Sequence, residues 1–242
     1  MHGDIPRAEG AELDRGVFDE VYDVVVVGYG FAGGISAIEA ADHGAKVLIC
    51  EKMPDPGGVS ICSGGAVRCA DSADDAFAYL KATNAGTTPD DVLRVLADGM
   101  AVAESYVKKL VSEVEGASVK PTEFSGKRGG NYPFPGWETF YHTQVDDPPG
   151  LDRRRDFPNV RTRPSSGGPG MFWVIEKHIR RRGIEVRLNT PVMKLIRGPE
   201  NDVRGVVLGG AGGGRRIAAR RAVILACGGF ESPDEMKRRY WE

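Results

Sequence analysis

Between Asp23 and Glu51 the chain reads DVVVVGYGFAGGISAIEAADHGAKVLICE, and no other stretch restricts the fold as tightly. The valines Val24 to Val27 make an all-apolar run closed by glycine, which predicts a strand buried on both faces. Gly28, Gly30 and Gly33 follow in G-x-G-x-x-G spacing, with Gly34 added. Ile35, Ile38 and Ala41 recur at helical spacing, and Gly44 stands where that helix should stop. Val47 to Ile49 predict a second buried strand, ending at Glu51.

A lone G-x-G-x-x-G also occurs as a plain structural turn. Here it leaves a buried strand, opens a helix and is followed by a strand ending in an acid, the context that dinucleotide binding requires. Gly28 then permits the tight turn out of the strand. Gly30, without a Cβ, lets the backbone approach a pyrophosphate, and Gly33 lets the helix pack close. The helix N-terminus offers N–H groups and a partial positive charge to phosphates. The dipole contributes only about 0.3–1 kcal/mol at exposed sites, so the amide hydrogen bonds carry most of the grip. Glu51 can accept from ribose hydroxyls, and its charge disfavours a 2′-phosphate.

With 242 residues, 41% of them hydrophobic and 27% charged, the chain has ordinary globular composition and enough length for a large core. A net charge of −2 gives no pull toward nucleic acid or anionic membrane. No apolar run approaches the ~20 residues a membrane span needs. Residues 1–20 read as a polar tail without the apolar region of a secretory signal. Cys50, Cys62, Cys69 and Cys227 show no C-x-x-C spacing and read as reduced thiols of a cytoplasmic protein. The histidines are scattered, so no metal site is expected.

Along the chain, KMPDPGGVSICSGGAVR (52–68) is a loop with two Gly-Gly pairs, hydroxyls and available N–H groups. It suits wrapping a flat polar ring and the phosphates behind it. Ser72 and Asp75 predict a capped helix start, and Thr88 (cap) with Pro89 (first helical position) a second one. Val92, Leu93, Val95, Leu96 and Met100, then Val102, Tyr106, Leu110 and Val111, are assigned to core or helix–helix packing. Residues 115–170 are rich in Gly and Pro and read as an irregular insertion. Its aromatics, Phe124, Tyr132, Phe134, Trp137, Phe140, Tyr141 and Phe157, argue against disorder. Arg153 to Arg155 read as a solvated face rather than an anion site. Met171 to Arg182 predict an amphipathic helix stopped by Gly183. Strands are expected at Ile184–Leu188 and Val192–Ile196, then a hairpin of Val203–Leu208 and Arg216–Ala219 joined by residues 209–214. A buried return strand, Ala222–Leu225, leads into ACGGF.

DVVVVGYGFAGG, then EK, GGVSICSGG and ACGGF together resemble the flavoprotein-subunit family of fumarate reductase and succinate dehydrogenase. The closest likeness is to its soluble branch of 3-ketosteroid dehydrogenases and flavocytochrome-type fumarate reductases. The resemblance implies an α/β fold: a Rossmann-like FAD-binding domain over 21–242, a parallel sheet with helices plus a small antiparallel β-meander. It implies FAD held by Gly28, Gly30, Phe31, Ala32 and Gly33 at the pyrophosphate and by Glu51 at the ribose, with Lys52 adjoining. Ser60, Ser63, Gly64 and Gly65 would line the flavin side, Gly58 and Val59 would also bind the cofactor, Val192 would meet adenine through its backbone, and Ala226, Cys227 and Gly228 would pass close to the dinucleotide. Cys227 stands where the family has threonine.

In the family a capping domain and a C-terminal return follow this point, so the chain reads as truncated before the capping domain. The implied reaction is hydride transfer at flavin N5 on a CH–CH or C=C bond, with a steroid-like or unsaturated carboxylate substrate and an unassigned electron acceptor. The irregular insertion would lie against the flavin edge. Tyr132, Tyr141 and His142 are the candidates for handling the proton, with Tyr141 and His142 foremost, although loop packing accounts for each. Residues 52–68 hold no histidine, so FAD is expected to be non-covalent. Three readings stay open beside this one: an NAD-dependent dehydrogenase, a different FAD oxidoreductase, and a non-catalytic flavin-binding module. The first leaves GGVSICSGG and ACGGF without a reason.

Overall fold

The computed structural model describes residues 17–120, 131–161, 167–210, 213–229 and 234–240. Phe124, Phe230, Ala211, Gly212 and residues 1–16 of the expected tail lie outside them. The strands are β1 Glu20–Val27, β2 Val47–Cys50, β3 Ala66–Ala70, β4 Phe140–Gln144, β5 Glu185–Arg187, β6 Val192–Arg197, β7 Val203–Leu208 and β8 Arg216–Leu225. The helices are α1 Phe31–Asp42, α2 Gly58–Cys62, α3 Ala73–Thr83, α4 Asp90–Ser112, α5 Arg153–Asp156, α6 Gly168–Arg181 and α7 Asp234–Tyr240. The chain divides into two compact units, one within Met1–Ser60 and Ile175–Glu242, the other within Ile61–Val174. The predicted insertion, 115–170, lies inside the second.

The first unit is built on a sheet ordered β5-β2-β1-β8-β7-β6. β5, β2, β1 and β8 run parallel, and β8, β7 and β6 antiparallel, so the expected parallel sheet and meander are one sheet that shares β8. β1 is central, and Val24, Val25 and Val26 are buried as their run predicted. The hairpin arm 216–219 and the return strand 222–225 prove to be a single strand. Across the exposed pair Arg220–Arg221, its register against β1 shifts between Tyr22 and Val24. The return strand is also less buried than expected, and Leu225 is exposed. α1 ends at Asp42, and Gly44 just past its cap has a φ of 76° that only glycine adopts easily. A Cβ on Gly34 would stand 2.3 Å from Ile175 Cγ2, so α1 and the second half of α6 pack closely. Arg182 fixes the same junction by donating to both carboxylate oxygens of Asp42 at 2.7 and 2.8 Å.

The second unit corrects two expectations. The loop 52–68 contains the short helix α2 and runs into β3, and the irregular insertion contains β4. β3 and β4 pair antiparallel from Ala66↔Gln144 to Ala70↔Phe140. α3 starts at the Ser72 cap, whose Oγ accepts from the Asp75 N–H, as its S-x-x-D pattern predicted. α4 differs in two ways. Pro89, not Thr88, holds the cap position, with no side-chain hydrogen bond, and the helix runs unbroken through Gly99. Ala70, Ala76, Tyr79, Ala97 and Phe140 form one core cluster, with the Tyr79 and Phe140 rings edge to face at 5.0 Å. Among the described residues no helix is long and apolar enough to cross a membrane.

Candidate functional site

The carboxyl ends of β1, β2 and β8 converge on the glycine-rich turn, which is where ligands bind in parallel α/β sheets. Gly28 takes φ 102° and donates its N–H to the Cys50 carbonyl at 2.8 Å. A Cβ there would stand 2.4 Å from the Ala226 carbonyl oxygen, so only glycine lets β8 pass this close. Ala226 donates in turn to the Val27 carbonyl at 2.8 Å, and Cys227 Sγ lies 3.7 Å from the same oxygen.

Gly30 precedes α1 and carries no side-chain cap. Ser60 Oγ accepts from the Phe31 N–H at 3.3 Å, and a Gly30 Cβ would stand 3.0 Å from that hydroxyl. A Cβ on Gly33 would lie 2.0 Å from the Gly28 carbonyl oxygen, so the helix start sits directly on the turn. Ala32 and Gly33 follow Phe31 in the first turn of α1, whose N–H groups have no acceptors within the helix, the general arrangement by which helix N-termini bind anions.

Glu51 is buried at 6% exposure. Its Oε2 accepts from the Tyr29 N–H at 2.8 Å and its Oε1 from the Met53 N–H at 2.9 Å. Its own N–H donates to the Arg187 carbonyl, and its carbonyl accepts from the Thr190 N–H at 2.8 Å. A carboxylate has about four acceptor positions, so two amides leave room for two hydroxyls. Lys52 is exposed, Gly58 and Val59 are exposed on α2, and Val192 opens β6 opposite Leu208. Gly228 takes φ 76° beyond β8. Beside Glu51, burial pushes the Cys50 thiol up to about 12, so it stays a neutral thiol.

The structure thus brings Gly28, Gly30, Phe31, Gly33, Glu51, Ser60, Ala226 and Cys227 together in the first unit. Ser63, Gly64 and Gly65 belong to the second. There Ser63 Oγ accepts from the Gly65 N–H at 3.0 Å, and Gly64 O accepts from the Gly167 N–H at 3.1 Å and from Gln144 Nε2. Tyr141 and His142 lie on β4, paired with Cys69 and Arg68. The Tyr141 hydroxyl donates to Glu104 Oε2 at 3.2 Å, and burial together with that carboxylate pushes it up to about 12. His142 is half-buried and Tyr132 exposed.

Sequence reasoning missed Tyr29, Met53 and Thr190, and took Gly57 only as part of a Gly-Gly pair in the loop 52–68. Gly57 donates to the Tyr29 carbonyl at 2.7 Å, which closes the turn from the far side. All four act through main-chain groups, which leave no residue-type signature. Only their nearness to Gly28 and Glu51 could have marked them.

A family model described as FAD binding domain matches residues 23–240. A 3-oxosteroid 1-dehydrogenase of Comamonas testosteroni is 24% identical over 92% of this chain and 49% of its own length. A probable fumarate reductase of Shewanella frigidimarina is 28% identical over 91% of this chain and 34% of its own. The crystal structure of 3-ketosteroid delta1-dehydrogenase from Sterolibacterium denitrificans, in complex with 1,4-androstadiene-3,17-dione, matches with a TM-score of 0.75 at 26% identity, over 91% of this chain and 50% of that one. The chain therefore spans half or less of the length of these relatives.

Proposed function

The chain belongs to the FAD binding domain family, and from that premise we propose that it holds the FAD of an oxidoreductase acting on CH–CH or C=C bonds. The observation that carries this reading is the Gly28–Gly33 turn locked against Glu51. It leaves first-turn amides for a pyrophosphate and spare carboxylate acceptors for a ribose. In this reading Gly28, Gly30, Phe31, Ala32 and Gly33 take the pyrophosphate and Glu51 the ribose. The Val192 backbone meets adenine, and Lys52, Gly58, Val59, Ser60 and Ala226 to Gly228 flank the dinucleotide. The assignment of Ser63, Gly64 and Gly65 to the flavin side rests on the sequence resemblance. When bound, FAD supplies hydride transfer at flavin N5 with a carbon beside an activating carbonyl.

The chain's own residues bind and orient the cofactor and exclude the 2′-phosphate through Glu51. For the proton, the role falls to His142 before Tyr141, because the buried Tyr141 hydroxyl is engaged by Glu104 and holds its proton tightly. The substrate is a steroid-like ketone or an unsaturated carboxylate, the classes for which the relatives are named. Four thiols without C-x-x-C spacing suit a reducing, cytoplasmic setting.

The test is a visible absorption spectrum of the purified chain after loading with FAD and removal of excess. A retained flavin spectrum is expected, and acid precipitation should release the flavin into the supernatant. A colourless chain, with all FAD recovered in the wash, would sink the proposal. Yellow colour staying in the acid pellet would overturn non-covalent attachment alone.

A further inference from the structure

α4 is apolar on two faces. Leu93, Ala97, Val107, Leu110 and Val111 are buried. Val92, Val95, Leu96 and Val102 point elsewhere and are 51%, 73%, 47% and 59% exposed. Val92, Val95, Gly99, Val102 and Tyr106 recur at the alternating three- and four-residue spacing of a coiled-coil seam. Gly99, at the middle, is exposed, and a Cβ there would meet no atom within 4 Å. Another backbone can approach the helix closely at that point. The flank of the stripe carries Asp91 in the first turn and Lys109 in the last, both exposed, before the helix ends at the exposed Glu113 cap. Asp98, between them, is neutralised by Arg94 at 2.6 Å.

We propose that this stripe docks a second copy of the chain, α4 against α4, antiparallel and centred on Gly99. A two-fold axis at Gly99 sets Val92 opposite the partner's Tyr106 and Gly99 opposite its counterpart. It also brings Asp91 beside the partner's Lys109. A parallel pair in register would instead set like charges together at both ends, so the charge pattern selects the antiparallel arrangement. The same pattern identifies the occupant, because one surface supplies both halves of the match, as an isologous contact requires. A helix of 23 residues is about 34 Å long. One such pair reaches at most the lower bound of roughly 1,200 Å² for stable complexes, so the dimer dissociates on dilution.

Sedimentation velocity across a hundredfold concentration range tests this. The chain should sediment as a dimer at the high end and a monomer at the low end, and Val95→Glu with Val102→Glu should abolish the dimer. Asp91→Lys or Lys109→Asp alone should weaken association about tenfold, the effect of roughly 1.4 kcal/mol, and the two together should restore it. All four positions are exposed, and circular dichroism verifies that the fold is kept. As an independent readout, Gly99→Cys under oxidation should yield an interchain disulfide between the two introduced thiols, identified by mass spectrometry. A monomer throughout the range overturns the proposal. So does a dimer that survives the glutamate substitutions, or one in which the charge exchange gives no rescue.

Discussion

Glu51 shows how a residue chosen for its side chain is held in place by main chain. Replacing it with alanine leaves the Tyr29 and Met53 N–H groups without their acceptors. A buried unsatisfied donor costs about 1–3 kcal/mol, and Met53 is exposed enough for water to take its place. Glu51→Ala should therefore lower the urea-unfolding free energy by about 2–3 kcal/mol and remove FAD retention. Glu51→Gln, which keeps one carbonyl oxygen, should cost less than half of that, and equal losses would show that the amide contacts are not what matters. Arg187 is the other tightly placed side chain. It donates to both oxygens of Glu20 at 2.8 and 2.5 Å and to Glu185 Oε1 at 2.6 Å. Hydrogen bonds from Arg187 hold the Glu20 carboxyl below its ordinary value of 4.5, and those from Tyr22 and Arg187 outweigh burial to do the same for Glu185. A carboxylate depressed by folding stabilises the fold above its unfolded value and loses that contribution as pH falls through its folded value. Arg187→Met should thus cost about 2 kcal/mol at neutral pH, reduced from a fully buried pair by partial exposure. The gap between wild type and variant should close below pH 4.5. A gap independent of pH in denaturation curves would show that packing, not charge, was lost.

At the scale of elements, α1 separates two costs that a Gly→Ala substitution can carry. A Cβ on Gly33 would meet the Gly28 carbonyl oxygen at 2.0 Å, and since that atom is backbone the whole helix must shift. Gly44 has φ 76° and nothing within 4 Å, so alanine there meets only the left-handed backbone penalty. Gly33→Ala should destabilise by more than about 3 kcal/mol and Gly44→Ala by about 1–2 kcal/mol, both read from urea midpoints. Similar values at the two sites would remove the close contact as the reason for Gly33. β1, α1 and β2 were legible in the sequence because apolar runs, helical spacing and glycine stops all agree there. β3 and β4 were not. Each is five residues long, and Ala66–Ala70 finds its partner only at Phe140–Gln144, far along the chain. FYHTQ lacks polar alternation, and Gly-Gly pairs before β3 read as loop. β8 was split in two at Arg220–Arg221, where the apolar run is broken by charge, whereas a register shift against β1 carries the strand through. Nor could helical periodicity divide the α4 apolar residues into a buried face and an exposed one, so Val92, Val95, Leu96 and Val102 were assigned to packing and are exposed in this chain.

For the whole molecule, the glycine turn and the acid that follows it were readable in the sequence, while the groups that fix them in place were not, since they are backbone amides brought near by folding. That difference has a thermodynamic consequence. The turn, Glu51 and the β8 crossing are tied together by the chain's own hydrogen bonds: Gly28 to Cys50, Ala226 to Val27, Tyr29 to Glu51. A site so far assembled in the folded chain, and absent from the unfolded one, couples binding to stability by mass action. FAD at a hundredfold excess over its dissociation constant should add about 2.7 kcal/mol. For a chain of this size each kcal/mol moves the midpoint by about 2–4 °C, so Tm should rise by about 5–10 °C and keep rising with the logarithm of FAD concentration. Glu51→Ala should abolish the rise. ADP, which carries the pyrophosphate and adenosine ribose without the flavin, should reproduce part of it if the Gly28–Gly33 turn and Glu51 grip that half. A Tm indifferent to both ligands in differential scanning fluorimetry would mean that the turn is structural and the proposed cofactor site is wrong.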